Sequence, residues 1–291
     1  MSGPEASLHQ GERPLALVKG AGDLASGVAF RLSRAGFWVV MTEIPRPTVV
    51  RRTVAFAEAV YEGRAEVEGL EGVLAEGVDH VRRLLQSGAI PVVVDPDAGI
   101  RHELRPDLLV DAIVAKRNLG TRLGDAPAVV ALGPGFLAGR DVHAVVETMR
   151  GHTLGRVILA GAALPDTGVP GERRGFAEER ILRSPRAGVF TGLRQIGDRV
   201  DKDETIGLVE DTPVLSRLNG VLRGVMHTGL MVEPGFKLGD VDPQADREQC
   251  FLVSDKALAV AGGVLEAACG LLGILPSRYR APNRSWTAGR K

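Results

Sequence analysis

Short, continuous apolar runs alternate with amphipathic stretches through the first half of the chain. The runs have the length and continuity of β-strands that are buried on both faces of a sheet. They cover residues 15–19, 38–41, 90–94, 108–115, 129–132 and 156–159. Between them apolar residues recur at helical spacing, which predicts helices near residues 24–36, 78–88 and 142–149. This alternation predicts an α/β fold with a mostly parallel sheet.

The second half carries an internal repeat in which glycines and apolar residues recur at an offset of 32 residues. The matched pairs are Gly188 and Gly220, Gly192 and Gly224, Gly197 and Gly229, Val200 and Val232, Ile206 and Leu238, Gly207 and Gly239, and Val209 and Val241. Such self-similarity indicates one small supersecondary unit that is used twice, because a single copy cannot bury its apolar face. The short spacings and the Val, Ile, Leu and Gly content predict small β-strands and turns.

The doubled unit resembles the barrel-sandwich hybrid of biotin- and lipoate-carrying domains. In those carriers the modified lysine lies on the turn between the two halves, where this chain has Pro213. Proline has no amine to acylate, so a structural or docking module is favoured over a carrier. The expected fold class is α/β: a Rossmann-like mostly parallel sheet over residues 14–182, then a small all-β barrel-sandwich hybrid domain and a C-terminal helix over residues 183–275. Residues 1–13 and 276–291 are expected to be disordered tails.

Composition narrows the class of protein. The chain has 291 residues, a hydrophobic content of 44% and a formal net charge of zero, with no basic excess for nucleic acid. Its two cysteines, Cys250 and Cys269, have no paired spacing, and its six histidines do not cluster, so no metal site is predicted. The start of the chain lacks the apolar run of a signal peptide. The apolar stretch 257–275 contains Glu266 and four glycines, so we expect a buried helix, no membrane span and a cytoplasmic protein.

The first glycine-rich turn has the pattern of a dinucleotide-binding loop. Gly20, Gly22 and Ala25 match G-x-G-x-x-G/A between a predicted strand and a predicted helix, and Asp23 lies within the motif. Gly22 would let a pyrophosphate approach the backbone, where free N–H groups and the helix dipole favour anions. Glu43 ends the next strand, at the place where an acidic residue binds a ribose hydroxyl. The alternative is a tight turn with no ligand.

Two further groups would complete this site. Arg51 and Arg52 follow Glu43 and would bind phosphate through their planar donor groups, unless they belong to a solvated basic face. Gly133 and Gly135 form a second glycine-rich turn after a strand. Loops at the carboxyl ends of parallel strands line the ligand crevice, so the two turns are expected to face each other. No residue is identified as catalytic, and whether the protein is an enzyme stays open.

Several motifs, in the same order, resemble those of the YqeB family. They are KGAGDLASGVA at 19–29, RRTVAFAEAVY at 51–61, LGPGF at 132–136, RGHTLGRVI at 150–158, and the repeat region 184–243. The family is associated with selenium-dependent molybdenum hydroxylases as an accessory protein for their maturation or cofactor biosynthesis. Its N-terminal part is similar to the Rossmann domain of the XdhC maturation factors. The resemblance implies a protein that helps a xanthine-dehydrogenase-like hydroxylase, its partner, to acquire a molybdenum centre.

Three functions are compatible with these observations. The first is an accessory protein that binds a dinucleotide-type ligand, either NAD or a molybdopterin dinucleotide, between the two glycine turns. The second is an NAD-dependent oxidoreductase, because Glu43 would repel the 2′-phosphate of NADP. The third is a docking module in which residues 183–275 bind the hydroxylase. The first and the third are compatible with each other.

Overall fold

A mostly parallel β-sheet forms the first part of the protein in the computed structural model, which describes residues 13–168, 175–243 and 246–274. Its strands are β1 (Leu15–Lys19), β2 (Trp38–Glu43), β3 (Arg64–Val67), β4 (Leu70–Leu74), β5 (Ile90–Val94), β6 (Leu108–Asp111), β7 (Ala128–Leu132), β8 (Ala144–Val146) and β9 (Val157–Ile158). The α-helices within these described residues are α1 (Asp23–Arg34), α2 (Ala59–Glu62), α3 (Gly77–Ser87), α4 (Arg101–Leu104) and α5 (Asp255–Leu271).

The nine strands lie in the order β3-β4-β5-β2-β1-β6-β7-β8-β9. The strands from β4 to β8 in this order are parallel to their neighbours, whereas β3 and β9 are antiparallel edges. Successive side chains of a strand point to opposite faces, and both faces of this sheet are covered. One core contains Val18, Met41 and Val110 under α1 and α5, and the other contains Leu17 and Leu109 on the side of α3. The predicted mostly parallel sheet is confirmed.

Helix α5 packs on the first sheet although it follows the second part of the chain. It lies along α1 and contacts β7, β8 and β9. Small residues allow the close approach, because a Cβ on Gly27 would lie 2.8 Å from the Cβ of Ala257. A Cβ on Gly263 would overlap the carbonyl oxygen of Gly155, which itself has a φ of 78°. Ser254 caps the helix, since its Oγ accepts a hydrogen bond from the Ala257 amide at 3.1 Å.

Two four-stranded antiparallel sheets form the second part, in the orders β10-β17-β15-β12 and β14-β13-β11-β16. Their strands are β10 (Ile181–Arg183), β11 (Gly188–Gly192), β12 (Arg199–Val200), β13 (Thr205–Val209), β14 (Thr212–Leu215), β15 (Gly220–Val225), β16 (Met231–Val232) and β17 (Lys237–Asp242). The sequence repeat relates β11, β12 and β13 to β15, β16 and β17. The two copies exchange their short strands, since β12 pairs with β15 and β16 pairs with β11.

The expected combination of a Rossmann-like domain and a barrel-sandwich hybrid is wrong. The connections after β6 and β7, residues 112–127 and 133–143, contain no α-helix, and the stretch predicted as a helix over 142–149 contains strand β8 instead. Antiparallel strands close both edges of the large sheet. The second part consists of two separate small sheets, and α5 covers the first sheet rather than completing the second part.

The predicted tails, 1–13 and 276–291, lie outside the described residues apart from Arg13. Among residues 13–168, 175–243 and 246–274, no helix combines the length and the apolar character that crossing a bilayer requires.

The close packing of α5 can be tested by replacing two neighbouring glycines of this helix, one in contact with other parts of the protein and one not. Gly263→Ala should lower the free energy of unfolding by about 1–3 kcal/mol, because the new methyl meets the backbone of Gly155, which cannot move aside. Gly262→Ala should instead be neutral or stabilising by up to about 1 kcal/mol, since no atom lies within 4 Å of its Cβ position and alanine favours a helix. Urea unfolding of both variants measures this, and equal stabilities would contradict the described packing.

Candidate functional site

The carboxyl ends of β1, β2 and β6 meet at one edge of the large sheet, where the first glycine turn lies. Gly20 has a φ of 90°, which is accessible to glycine at little cost, and its amide donates to the Thr42 carbonyl at 2.8 Å. Gly22 is the N-cap of α1 and has an ordinary φ of −67°. No described residue accepts a hydrogen bond from the Gly22 amide. The turn therefore has the strand–turn–helix context that its sequence predicts.

Glu43 occupies part of this turn. Its two carboxylate oxygens accept hydrogen bonds from the Ala21 and Ile44 amides, each at 2.8 Å. Burial raises the pKa of Glu43, and the two amide hydrogen bonds act in the opposite direction. The carboxylate predicted to bind a ribose hydroxyl thus binds the glycine turn itself, and one amide of the turn already has an anionic partner.

The loop after β6 lies between the two glycine turns. A Cβ on Gly20 would come within 3.2 Å of the Ala112 carbonyl oxygen, and a Cβ on Gly135 within 2.5 Å of the Arg117 nitrogen. Gly133 is packed in the same way against Thr148, whose Oγ1 is 2.5 Å from the Cβ position. Gly133 and Gly135 therefore allow close packing of the protein chain, and the backbone of 112–117 separates the two turns.

The loop after β6 is strained and tightly held. Val114 and Lys116 have φ values of 58° and 62°, and a positive φ is rare for a β-branched residue such as valine. Below the loop, Thr121 donates to an Asp111 carboxylate oxygen at 2.6 Å and accepts from the Lys19 ammonium at 2.8 Å. These three side chains are buried, so they fix the loop over the sheet edge rather than facing a ligand.

Arg51 and Arg52 join the two parts of the protein. Nη2 of Arg51 donates to the carbonyls of Gln249 and Leu252 at 3.3 and 3.2 Å. Nε of Arg52 donates to the Val225 carbonyl at 2.8 Å, and its Nη1 donates to Glu58 at 2.7 Å. Arg51 is buried and Arg52 is half-buried, so neither belongs to a solvated basic face.

Two helices begin at the carboxyl edge, and charged side chains gather between their first turns. Asp23 at the start of α1 lies 3.9 Å from Nη1 of Arg51 and interacts electrostatically with Lys256, the second residue of α5. Ala25, the last residue of the first motif, is buried in the core and does not face this gap. The structure thus brings Gly22, Asp23, Arg51 and Lys256 together.

Lys256 is the cation of this group that keeps its donors available. It is half-buried, and it makes no hydrogen bond or ion pair with the described part of the chain. Burial lowers its pKa, as does Arg150, whereas the carboxylates of Asp23, Glu147 and Asp166 act in the opposite direction. Its sequence position, far from the glycine motifs, gives no signal of this placement, because only the packing of α5 on α1 produces it.

A surface hollow of about 600 Å³ lies at the opposite edge of the sheet, at the amino ends of β6 and β7. It is lined by residues 101, 102, 105, 106 and 124–127, and Arg101 there pairs with Asp125 at 3.3 Å. The loops at the carboxyl ends of the strands do not reach it, so it is separate from the predicted site.

Comparison with known proteins supports the resemblance to YqeB. No family model matches the chain. Over 259 residues, 89% of the chain, the sequence is 48% identical to a protein of Escherichia coli (strain K12) described as "Uncharacterized protein YqeB". The chain spans about half of that protein's length, 48%. This identity confirms the predicted relation to YqeB over the matched stretch, whereas a role in maturing molybdenum hydroxylases is a matter of proposal.

The similar solved structures belong to other classes of protein. A succinylglutamate desuccinylase/aspartoacylase from Rhodobacter sphaeroides is 17% identical with a TM-score of 0.25, over 79% of this chain and 85% of that one. An aspartoacylase family protein from Mesorhizobium loti is 8% identical with a TM-score of 0.26, over the same shares of both chains. They are not described as the Rossmann-type maturation factors that the sequence led us to expect. TM-scores this low transfer no chemistry to this chain.

The half-buried carboxylate of Glu43 predicts a pH-dependent stability. Because the folded pKa lies above its unfolded value, the native state binds the proton more tightly, and stability falls as pH rises through the folded pKa. Glutamine does not titrate, so the variant Glu43→Gln lacks this contribution. The wild type should therefore lose stability relative to the variant as the pH rises above about 4.5, the pKa of Glu43 in the unfolded chain.

Urea unfolding between weakly acidic and neutral pH measures the difference. Glu76→Gln, at an exposed position before α3, is the matched control and should show no comparable pH-dependent difference from the wild type. A difference for Glu43→Gln that stays constant or increases with pH would refute the proposed cost of burying this charge.

Proposed function

We propose that the protein is an accessory protein for the maturation of selenium-dependent molybdenum hydroxylases. In this proposal it binds a dinucleotide-type ligand at the starts of α1 and α5. The role in maturation is supported by the resemblance to the YqeB family, which the identity of 48% to the Escherichia coli protein strengthens. The molybdopterin dinucleotide is the ligand that fits this role, and NAD is the alternative that the same glycine motif favours.

The main support for this binding site is the ammonium group of Lys256, which lies where the first turns of α1 and α5 meet. An ammonium that is half out of water gains a partner when an anion binds, and such charge-assisted hydrogen bonds are stronger than neutral ones. The N-terminal ends of α1 and α5 add partial positive charge to the same gap. A phosphate group is the part of a dinucleotide that matches these donors.

The Gly22 amide is the backbone donor of the proposed site. A Cβ on Gly22 would lie 3.6 Å from Cγ2 of Val49, so the Val49 side chain lies next to this residue of the turn. Asp23 is the internal anion beside Lys256 and would have to turn away, since two carboxylate-like charges repel each other. The ligand would therefore compete with the Asp23 carboxylate for the positive charge of Lys256.

Lys256→Met tests the site while preserving the length and the apolar stem of the side chain. Loss of one charge-assisted hydrogen bond, about 1.5–3 kcal/mol, should weaken binding by roughly 10- to 150-fold. Native mass spectrometry of full chain purified from a host that makes the molybdenum cofactor measures the retained ligand, and a fluorescence titration with NADH tests NAD. Lys202→Ala, at an exposed position in the second part, should bind as the wild type does.

Gly22→Leu is a second variant, because the ordinary φ of Gly22 accepts a side chain without backbone strain. It should keep the wild-type circular dichroism spectrum and lose the ligand. Wild-type affinity in both Lys256→Met and Gly22→Leu would show that the ligand binds elsewhere. Wild-type protein that retains no ligand and does not bind NADH would contradict the proposed function itself.

A further inference from the structure

Three potential metal ligands converge where the two parts of the protein meet. Glu58 and Glu62 are four residues apart on the helical segment that ends with α2, so they lie on the same side of it. His227 follows β15 in the second part. One ligand atom from each of the three lies within 4.8 Å of the other two. Nε2 of His227 is 3.6 Å from Glu62 Oε1 and 3.9 Å from Glu58 Oε1.

The other ring nitrogen of His227 determines which face it offers. Nδ1 lies 2.8 Å from the Thr228 carbonyl oxygen. A carbonyl can only accept a hydrogen bond, so Nδ1 carries the proton, and the neutral ring has a lone pair on Nε2. A histidine whose second nitrogen donates to a backbone carbonyl is the usual arrangement around a bound metal. Tyr61 holds the ring in place by stacking on it, with ring centroids 4.0 Å apart.

The distances in this cluster are too long for hydrogen bonds and suitable for a small cation. At 3.6 and 3.9 Å, neither carboxylate is hydrogen-bonded to Nε2. In the neutral ring the Nε2 lone pair points to the same gap as the two carboxylates, so a cation placed there would be attracted by all three groups. Two ligands on one metal ion are roughly 3–3.5 Å apart, given metal–ligand bonds of about 2.0–2.2 Å. The two carboxylate oxygens lie 3.6 and 3.9 Å from Nε2, so both separations must shorten slightly when an ion binds.

Arg52 positions Glu58 and does not block it. Its Nη1 donates to Glu58 Oε1 at 2.7 Å, while its Nε is held by the Val225 carbonyl next to the segment that carries His227. A carboxylate has about four lone-pair positions, so one hydrogen bond leaves room for a metal. Carboxylate ligands in metal sites are themselves commonly hydrogen-bonded by a neighbouring residue.

We propose that Glu58, Glu62 and His227 bind a divalent transition-metal ion, with Zn²⁺ as the representative. An imidazole nitrogen favours zinc and its neighbours over Mg²⁺ and Ca²⁺, which prefer oxygen ligands only. Three protein ligands leave a fourth position open for water or another ligand. The ion links the first part of the protein to the second, and this site stands independently of the proposed dinucleotide site.

Glu62→Gln is the sharpest test, because this side chain is 63% exposed and its change should leave the fold intact. The full chain is stripped with a chelator, dialysed, and titrated with Zn²⁺ against a chromophoric competitor. We expect one Zn²⁺ per wild-type chain and an affinity at least about tenfold lower in Glu62→Gln. Glu103→Gln, at an exposed position on α4, should bind Zn²⁺ as the wild type does.

His227→Gln provides a second variant and should abolish the binding that Glu62→Gln weakens. Replacement of Zn²⁺ by Co²⁺ adds a spectroscopic readout, since its visible absorption reports nitrogen and oxygen ligation directly and should be lost in His227→Gln. Equal Zn²⁺ affinity in wild type, Glu62→Gln and His227→Gln would assign the metal to other residues and overturn the proposal. A wild-type chain that does not bind Zn²⁺ or Co²⁺ would overturn it as well.

Discussion

Close packing of α5 on the first sheet is the constraint on which the candidate site depends. The backbone of α5 approaches α1 at Gly27 and the 155 turn at Gly263, where side chains would prevent contact. This approach buries an apolar face of the sheet that the connections after β6 and β7 leave without helices. It also sets the start of α5 beside the start of α1. The position of Lys256 therefore depends on close packing at Gly263 in its own helix and at Gly27 and Gly155, which lie far from it in the sequence.

The segment 47–61 makes three kinds of contact that hold the protein together. Arg51 donates hydrogen bonds to backbone carbonyls of the 249–252 turn, and Arg52 donates one to a carbonyl of β15. The Tyr61 hydroxyl donates to the Pro47 carbonyl at 2.8 Å. Guanidinium groups suit this work because they present several donors in a fixed plane to backbone carbonyls. The same contacts orient Glu58 toward His227. The residues that hold the second part of the protein against the first therefore also position the ligands of the proposed metal site.

Local patterns predict the strands well and predict tertiary placement poorly. The continuous apolar runs correspond to strands, which are mostly buried except for the half-buried β9, and the offset of 32 residues relates equivalent strands of the second part. The prediction of a helix over 142–149 is wrong, because a short apolar run fits a buried strand equally well. The stretch contains β8, whose three residues, Ala144–Val146, are all buried. Neither Lys256 beside Asp23 nor His227 beside Glu58 has a sequence signal, since each pair forms only when distant elements pack. The Rossmann expectation rests on the alternation, on the glycine motif and on the family resemblance, and none of these reveals that the crossover helices after β6 and β7 are missing.

The first glycine turn has the strand–turn–helix arrangement that its motif predicts, but the groups that bind its amides differ from those expected. Its strand, turn and helix are where the motif predicts them, but the protein supplies two of its own carboxylates there. Glu43 binds the Ala21 amide, and the Asp23 carboxylate accepts from the Leu24 amide at 2.9 Å. An incoming phosphate would find the Gly22 amide and Lys256, fewer donors than an open phosphate-binding loop offers. Fewer donors mean weaker retention, and a protein that delivers a cofactor to another enzyme must also release it. Under the proposed function, the internal carboxylates favour release because they compete with the phosphate for the same positive charge.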